Sequence, residues 1–479
     1  MAGLRGVTLE RRKTVADALQ TTETEGFRLR RELSALDVTV LGVGVIIGAG
    51  IFVLTGQAAA TEAGPAIMLS FVVAGVICAL AALCYAELAA MVPVAGSAYT
   101  FTYVTVGELV AFVIGWDLVL EFTVGAAAVA VGWSAYLNST LDQIFGVTLP
   151  ASISGPPSAE GGVVNLPAIA IVLALAYLLV RGIRITAKAN VALVAITILV
   201  LLVVIVVGAG EIDSGNWSPF TPFGTSGIVG GAALVFFAYI GFDIVATSAE
   251  ETRNPQRDMP IGILTSLAIV TLLYVLVAGV ITGMRPYEDL GSAAPIADAF
   301  EALERPWAAA FVYGGALVAL TNTVLILMLG QSRVGFAMAR DRLLPPALGA
   351  AHPRHGTPAR FTIVTALVVA VAAGFTGIDT LATLVNIGTL FAFVLVAIAV
   401  LTLRRLDPDR PRPFLTPWTP VLPILSIAGS IWLMTTLDGA TWVRFLVWMA
   451  VGFVVYALYS SRRSRLRHGA PGPPAAAPE

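Results

Sequence analysis

Apolar runs of about 20 residues recur along the chain from residue 36 to residue 460, each long enough to cross a hydrocarbon layer about 30 Å thick as an α-helix. They fall at 36–60, 65–91, 105–138, 165–183, 188–209, 228–249, 259–283, 307–337, 361–378, 380–403, 420–437 and 442–460. Breakers separate them: Gly64-Pro65, Pro93, the Pro-, Ser- and Gly-rich stretch 149–162, Asn254-Pro255, Pro345-Pro346 and the Pro-rich segment 408–420. The pattern predicts an all-α integral membrane protein with about twelve transmembrane helices. A transmembrane barrel would show short alternating segments, and a soluble enzyme would not leave so few polar faces.

Composition sharpens this. Hydrophobic residues make up 57% of the chain and charged residues 12%, with a mean hydropathy of +0.88, whereas soluble proteins carry about 25% charged residues. The near balance of 28 basic and 30 acidic residues gives no case for a nucleic-acid partner. Their placement says more. An even number of crossings puts both termini on one side, and 25 of the 28 basic residues then fall on that side, leaving Arg285, Arg305 and Arg444 opposite. The positive-inside rule makes that side the cytoplasm, in the plasma (inner) membrane. The basic residues before the first run are not followed by a cleavage-site pattern, so no cleaved signal peptide is expected. Cys78 and Cys84 lie six apart in one run and point to different helix faces, which argues against a disulfide. No histidine lies in any run, and the generic spacing of His352 and His355 favours solvation over metal binding. No cofactor or metal is expected. The tail 461–479 is basic and then low in complexity, and should be disordered.

Two runs are interrupted where a membrane helix should be continuous. The first holds Gly42, Gly44, Gly48 and Gly50 in LGVGVIIGAGIFVLTG, and the sixth holds FFAYIGFD, Phe236 to Asp243. They are five runs apart, and an odd offset forces opposite orientations, as between the first helices of two inverted five-helix repeats. Unwinding at Gly48-Ala49-Gly50 frees backbone N–H groups at a helix start, where a carboxylate binds, and carbonyls that suit an ammonium. Two such breaks form a receptor for the zwitterionic end of an amino acid. The bland alternative is that the glycines only let helices pack closely.

Six segments carry a family resemblance: LGVGVIIGAGIFVLTGQAA, YAELAAMVPVAGSAYTFTYVTVGE, WDLVLEFTVGAAAVAVGWSAY, FFAYIGFDIVATSAEETRNPQRDMPIGI, GQSRVGFAMARDRLLP and NIGTLFAFVLVAIAVLTLRR. In order and spacing, from about Leu33 to Arg405, they resemble the amino acid–polyamine–organocation superfamily, and within it the cationic amino acid transporter family and its bacterial members. The resemblance implies a five-plus-five inverted repeat, over 36–209 and 228–403, with two extra C-terminal helices at 420–460 and a cytoplasmic segment at 1–35. It also implies alternating access to a central amino acid site. By resemblance, the backbone at Ile47, Gly48, Ala49, Gly50 and Ile51 forms the carboxylate and amine cradle. Phe236, Phe237, Ala238, Tyr239 and Gly241 occupy the equivalent segment of the sixth helix, with Phe237 as a lid. Counting back from Arg333, Leu327 and Met328 face the substrate side chain. These bulky apolar residues favour a small neutral amino acid, whereas the family name favours a cationic one.

Buried charge in a membrane helix costs at least about 2.5–3.5 kcal/mol, so Glu121 and Asp243, the deepest acids, are candidates for coupling or gating. Asp117 lies one turn before Glu121, and Glu87, Glu250 and Glu251 sit near helix ends as interfacial or gate residues. Some bacterial relatives carry a lysine in the fifth helix that stands in for a cation. That position here is Thr197, which puts lysine-based proton coupling in doubt and leaves exchange, or a proton on Glu121. The favoured function is an amino acid permease. Rivals are a polyamine or amine permease, an amino acid sensor without flux and an ion channel, with a membrane enzyme least supported because no nucleophile–base–metal constellation is visible.

Overall fold

The structure is a computed structural model, and it describes residues 12–15, 17–19, 31–94, 96–182, 187–350 and 357–467. His352, His355 and His468 lie outside the described residues. Among the described residues there is no strand, only two isolated bridges. Among the described residues eight helices are long and apolar enough to cross a membrane, and four shorter apolar helices accompany them.

In chain order the principal helices begin with α1 (Ala35–Ile46), α2 (50–63), α3 (Ile67–Met91), α4 (Ala98–Thr105) and α5 (Glu108–Phe145). There follow α6 (Leu166–Val180), α7 (Ala187–Ala209), α8 (Gly224–Val235), α9 (Phe242–Ala246) and α10 (Pro255–Met284). The last six are α11 (Pro295–Ala302), α12 (Pro306–Arg340), α13 (Ala359–Phe375), α14 (Ile378–Leu406), α15 (Val421–Thr436) and α16 (Gly439–Val455).

Local chemistry sets their ends. Ser34 and Asp37 form a reciprocal capping box that starts α1: the Asp37 N–H donates to Ser34 Oγ at 3.3 Å and the Ser34 N–H to Asp37 Oδ2 at 2.9 Å. Asn165 caps α6 by accepting from the Ala168 N–H at 3.1 Å. The run expected at 36–60 is split into α1 and α2, and α2 continues through the turn at Gly64-Pro65 toward α3. The run expected at 228–249 is split into α8, a 3-10 turn at Phe236–Tyr239 and α9.

The core lies where α5 packs on α12 and α3 packs on α10, with α1, α2, α8 and α9 between them. Here side chains such as Phe52, Phe112, Tyr239 and Tyr274 are fully buried. The outer helices turn apolar residues outward instead: Val206 of α7, Val371 of α13 and Val443 of α16 are each at least 60% exposed. A soluble protein would not tolerate that belt, and a bilayer requires it. At one end of the bundle the start of α1 is bridged to the segment after α9, where the Arg253 N–H donates to the Leu33 carbonyl at 2.8 Å. The first residues of the expected tail, 461–467, fold against that same end, because the Arg465 N–H donates to the Asp341 carbonyl at 3.2 Å and Ser464 Oγ donates to Glu108. Cys78 and Cys84 are free and buried.

Candidate functional site

α1 stops at Ile46 because the chain turns extended at Ile47 (φ −76°, ψ 95°) before rewinding at Gly50. In the sixth helix the break falls at Ile240, which is extended, and at Gly241, whose φ of +128° favours glycine. The two breaks touch. A Cβ built on Gly50 would lie 2.2 Å from the Ala238 Cα, so any side chain there would force the interrupted segments apart. Tyr274 of α10 ties them together, its hydroxyl hydrogen shared between the Ile46 carbonyl at 2.7 Å and the Ala238 carbonyl at 2.9 Å. Thr323 of α12 donates to the Ile47 carbonyl at 3.0 Å, and Tyr136 of α5 to the Phe52 carbonyl at 2.7 Å. Carbonyls freed by unwinding are thus partly satisfied by side chains from neighbouring helices, as an apolar interior requires.

A small cavity sits at this junction. Gly48, Ala49 and Gly50 line it from the first break, Phe237 and Ile240 from the second, and Gly125, Val129, Thr323 and Leu327 from α5 and α12. Its free volume is about 10 Å³, room for one water at most, so the walls must part to admit a larger ligand. No charged side chain is among its lining residues.

Of the residues singled out from the sequence, Gly48, Ala49, Gly50, Phe237 and Leu327 line the cavity. Ile47, Ile51 and Met328 are buried beside it without lining it. Phe236 packs edge-on against Phe393, with ring centroids 5.7 Å apart. Ala238 is the neighbour that Gly50 fits, and Gly241 abuts Val45. Tyr239 is a brace rather than a wall, donating to the Phe71 carbonyl at 2.8 Å. Thr197 is buried, and its hydroxyl donates to the Leu193 carbonyl of its own helix at 3.1 Å, away from the cavity.

Gly125, Val129 and Thr323 escaped the sequence reading, whereas Ile240 lies inside the interruption at Phe236 to Asp243 without having been named as a wall. A signal existed only for Thr323, in the polar triplet Thr321-Asn322-Thr323 of an otherwise apolar helix.

Glu121 and Asp243 do come together, with Asp117 and Tyr85. Glu121 faces both aspartates and stands beside Thr389, and the Tyr85 ring is within electrostatic reach of all three carboxylates. All four side chains are fully buried, and no carboxylate oxygen of the three has a hydrogen-bond partner among the described residues. Ser97 Oγ donates to the Asp243 carbonyl at 2.9 Å and so fixes the backbone at the start of α9.

Such a bundle, crossed by two interrupted helices that meet at one cavity, is that of a multi-pass helical membrane protein. The family model described as amino acid permease matches residues 33–457, and the chain belongs to that family. It is 46% identical over 447 residues to the methylthioribose transporter of Bacillus subtilis (strain 168), covering 93% of this chain and 97% of that one. It is also 46% identical over 460 residues to the branched-chain amino acid permease BcaP of the same organism, covering 95% and 98%. The vacuolar cationic amino acid transporter 4 of Arabidopsis thaliana is 40% identical over 411 residues, covering 84% of this chain and 68% of that one. These relatives are named as transporters and permeases, not enzymes.

Proposed function

We propose that the protein is a secondary-active permease that carries a neutral, apolar L-amino acid across the plasma membrane by alternating access, with both termini cytoplasmic. The observation that carries this reading is the meeting of the two breaks at one cavity. There the helix-start amides of Gly48 to Ile51 suit a carboxylate, the carbonyls of the second break suit an ammonium, and Phe237, Val129 and Leu327 leave an apolar space for the side chain. The absence of a charged group from that lining argues against a cationic side chain, despite the cationic transporters among the relatives. It agrees with the branched-chain permease.

The pairwise packing of α3 on α10 and of α5 on α12 supports twelve crossings in a five-plus-five inverted repeat, because in that numbering each pair is five crossings apart. The exposed apolar belt then meets lipid. For energy coupling, Thr197 offers no titratable cation, so the reading is exchange or movement down the substrate's gradient, with the Glu121–Asp243 pair as the place a proton would occupy.

Uptake of labelled leucine, arginine, putrescine and methylthioribose into proteoliposomes tests this directly. Leucine should accumulate, faster into leucine-loaded than into empty vesicles, and Gly50→Val should abolish uptake. Preference for arginine, putrescine or methylthioribose would overturn the substrate assignment. Saturable binding without flux would make the protein a sensor.

A further inference from the structure

The last helix does not stop at Val455. It continues through Tyr456–Ser460 to Arg463, and the chain then turns over the end of α12, where the Arg465 N–H donates to the Asp341 carbonyl. The two faces of this extension differ. Tyr456, Ser460 and Ser464, spaced four apart, point inward: Tyr456 donates to Glu108 Oε1 at 3.2 Å, Ser460 Oγ to the Leu343 carbonyl at 2.6 Å, and Ser464 Oγ to Glu108. The outward face runs through Val451 and Val454 to Leu458, which is 65% exposed, and ends on the exposed Arg462 and Arg463. In a bilayer such a face lies against acyl chains, and the first charges beyond it stand at the depth of the headgroups. Arg463 lies over the Tyr459 ring, 5.0 Å from its centroid, the aromatic and basic pairing of a membrane interface.

The positive charge at this corner is not neutralised by the protein. The two carboxylates that the extension reaches are already engaged, Glu108 by the hydroxyls of Tyr103, Tyr456 and Ser464, and Asp341 by Lys13 and Tyr99. Arg340 and Arg342 flank Asp341 at the end of α12, and Arg340 Nε is buried without a hydrogen-bond partner. Arg340 and Arg465 both stand within electrostatic reach of Lys13, so the two segments bring their charges to one place. Among the described residues none of Arg340, Arg342, Arg462, Arg463 and Arg465 forms an ion pair. Unanswered guanidinium donors select an anion, and a phosphate offers the paired oxygens that fit their planar fork. The exposed strip ending at Leu458 selects among phosphates: it favours one that carries acyl chains over one that is soluble.

We propose that the corner between the ends of α12 and the last helix binds an anionic phospholipid, its phosphate held by Arg462 and Arg463 with Arg340 behind them and its acyl chains laid along Val454 and Leu458. The proposal needs only a chain that spans a bilayer, so it stands or falls separately from the permease reading. The purified full-length protein in detergent is offered phosphatidylglycerol or phosphatidylcholine of the same chain length, and retained lipid is counted by native mass spectrometry. Wild type should retain phosphatidylglycerol roughly twentyfold better, and Arg462→Gln with Arg463→Gln should erase most of that preference, at roughly fivefold for each arginine removed. Arg462→Lys with Arg463→Lys, which keeps the charge without the fork, should fall between. Leu458→Gln should weaken retention of both lipids alike, and Arg285→Gln with Arg305→Gln, at the opposite end, should leave the preference intact. Equal retention of the two lipids by wild type, or an undiminished preference in the monodisperse Arg462 and Arg463 variants, overturns the site. In a second arm glycerol 1-phosphate and a polyglutamate peptide compete with phosphatidylglycerol. Displacement by either at equal concentration would make the corner a surface for soluble anions and overturn the lipid assignment.

Discussion

At the end of the bundle that carries the terminal segments, two acidic groups are buried and matched, beside the partly exposed pairs Arg333–Glu251 and Arg410–Asp407. Glu87, 1% exposed at the end of α3, accepts two parallel hydrogen bonds from Arg404 of α14, at 3.0 Å and 2.8 Å, and a third from the Thr416 N–H at 2.8 Å. Asp341, at the end of α12, accepts from Lys13 and, at 2.7 Å, from the Tyr99 hydroxyl. The opposite end carries the ion pairs Arg285–Asp289 and Arg305–Glu211, both with solvent-exposed members, and a second cavity of about 190 Å³ walled in part by Gln57, Ser292 and Ile378. Buried pairs are expensive to break because each leaves a desolvated charge behind, whereas exposed pairs give up almost nothing. The terminal end is therefore the tightly sealed one. On the proposed alternating-access reading, opening at the far end costs less than opening at the terminal end.

The difference is broken most severely at Glu87. Replacing it with Ala strands Arg404, and Arg412 with its Nε 3.7 Å away, against a wall that no longer answers them. The expected loss of folding stability is about 3–5 kcal/mol, read as a large fall in the thermal unfolding midpoint in detergent. Glu87→Gln, which keeps two acceptor positions but no charge, should fall between Ala and wild type.

The second seal, Lys13 to Asp341, carries a pH signature. Burial pushes the Lys13 ammonium below its usual range, while Asp341 pulls it back up and Arg340 and Arg465 add to the depression. Asp341→Asn removes the largest support for the charge, leaving the Tyr103 ring 4.8 Å from the ammonium, and so deepens the shift. Docking of residues 12–15 should weaken by about 1.5–3 kcal/mol at neutral pH. A lysine whose docked pKa is lower than its free value binds its proton less tightly when docked. In this variant docking therefore strengthens as pH rises toward about 10.5 and weakens as it falls. Hydrogen exchange at Ala98–Thr105, whose Tyr103 carbonyl accepts from the Lys13 N–H at 3.2 Å, reports the docking. Adding Lys13→Met to Asp341→Asn should restore protection and remove the pH dependence.

These seals show where a single sequence is informative. The breaks in the first and sixth helices are visible locally, because clustered glycines and an aromatic–glycine–acid run violate the pattern of a membrane helix. So are Glu121 and Asp243, whose cost in an apolar run is evident without any partner. Gly125 and Val129 look like any other small or apolar residue of a membrane helix, and become cavity wall only through packing against α12 and the two breaks. Lys13 is one of seven basic residues before the first run, which read only as part of the charge asymmetry, and its partner is 328 positions away. Arg404 is separated from Glu87 by 317. Nothing in either neighbourhood encodes the pairing, and the same holds for Ser292, which enters a cavity wall from a loop.

The smallest effect belongs to the far end, and it is the control for the others. Arg305 and Glu211 approach to 2.7 Å, but half of the Arg305 side chain and a quarter of that of Glu211 remain in contact with solvent. Water already solvates both groups, so truncation at one strands no buried charge, and the lost attraction is largely offset by the freedom the other side chain regains. Arg305→Ala should therefore change stability by no more than about 0.2–1 kcal/mol, with the difference vanishing at high salt, where exposed pairs are screened. Glu87→Ala should keep most of its much larger effect at the same salt, because its partners are shielded from the ions. A loss at Arg305 comparable to that at Glu87, or equal salt sensitivity of the two, would mean that both ends are sealed alike and would remove the difference between them.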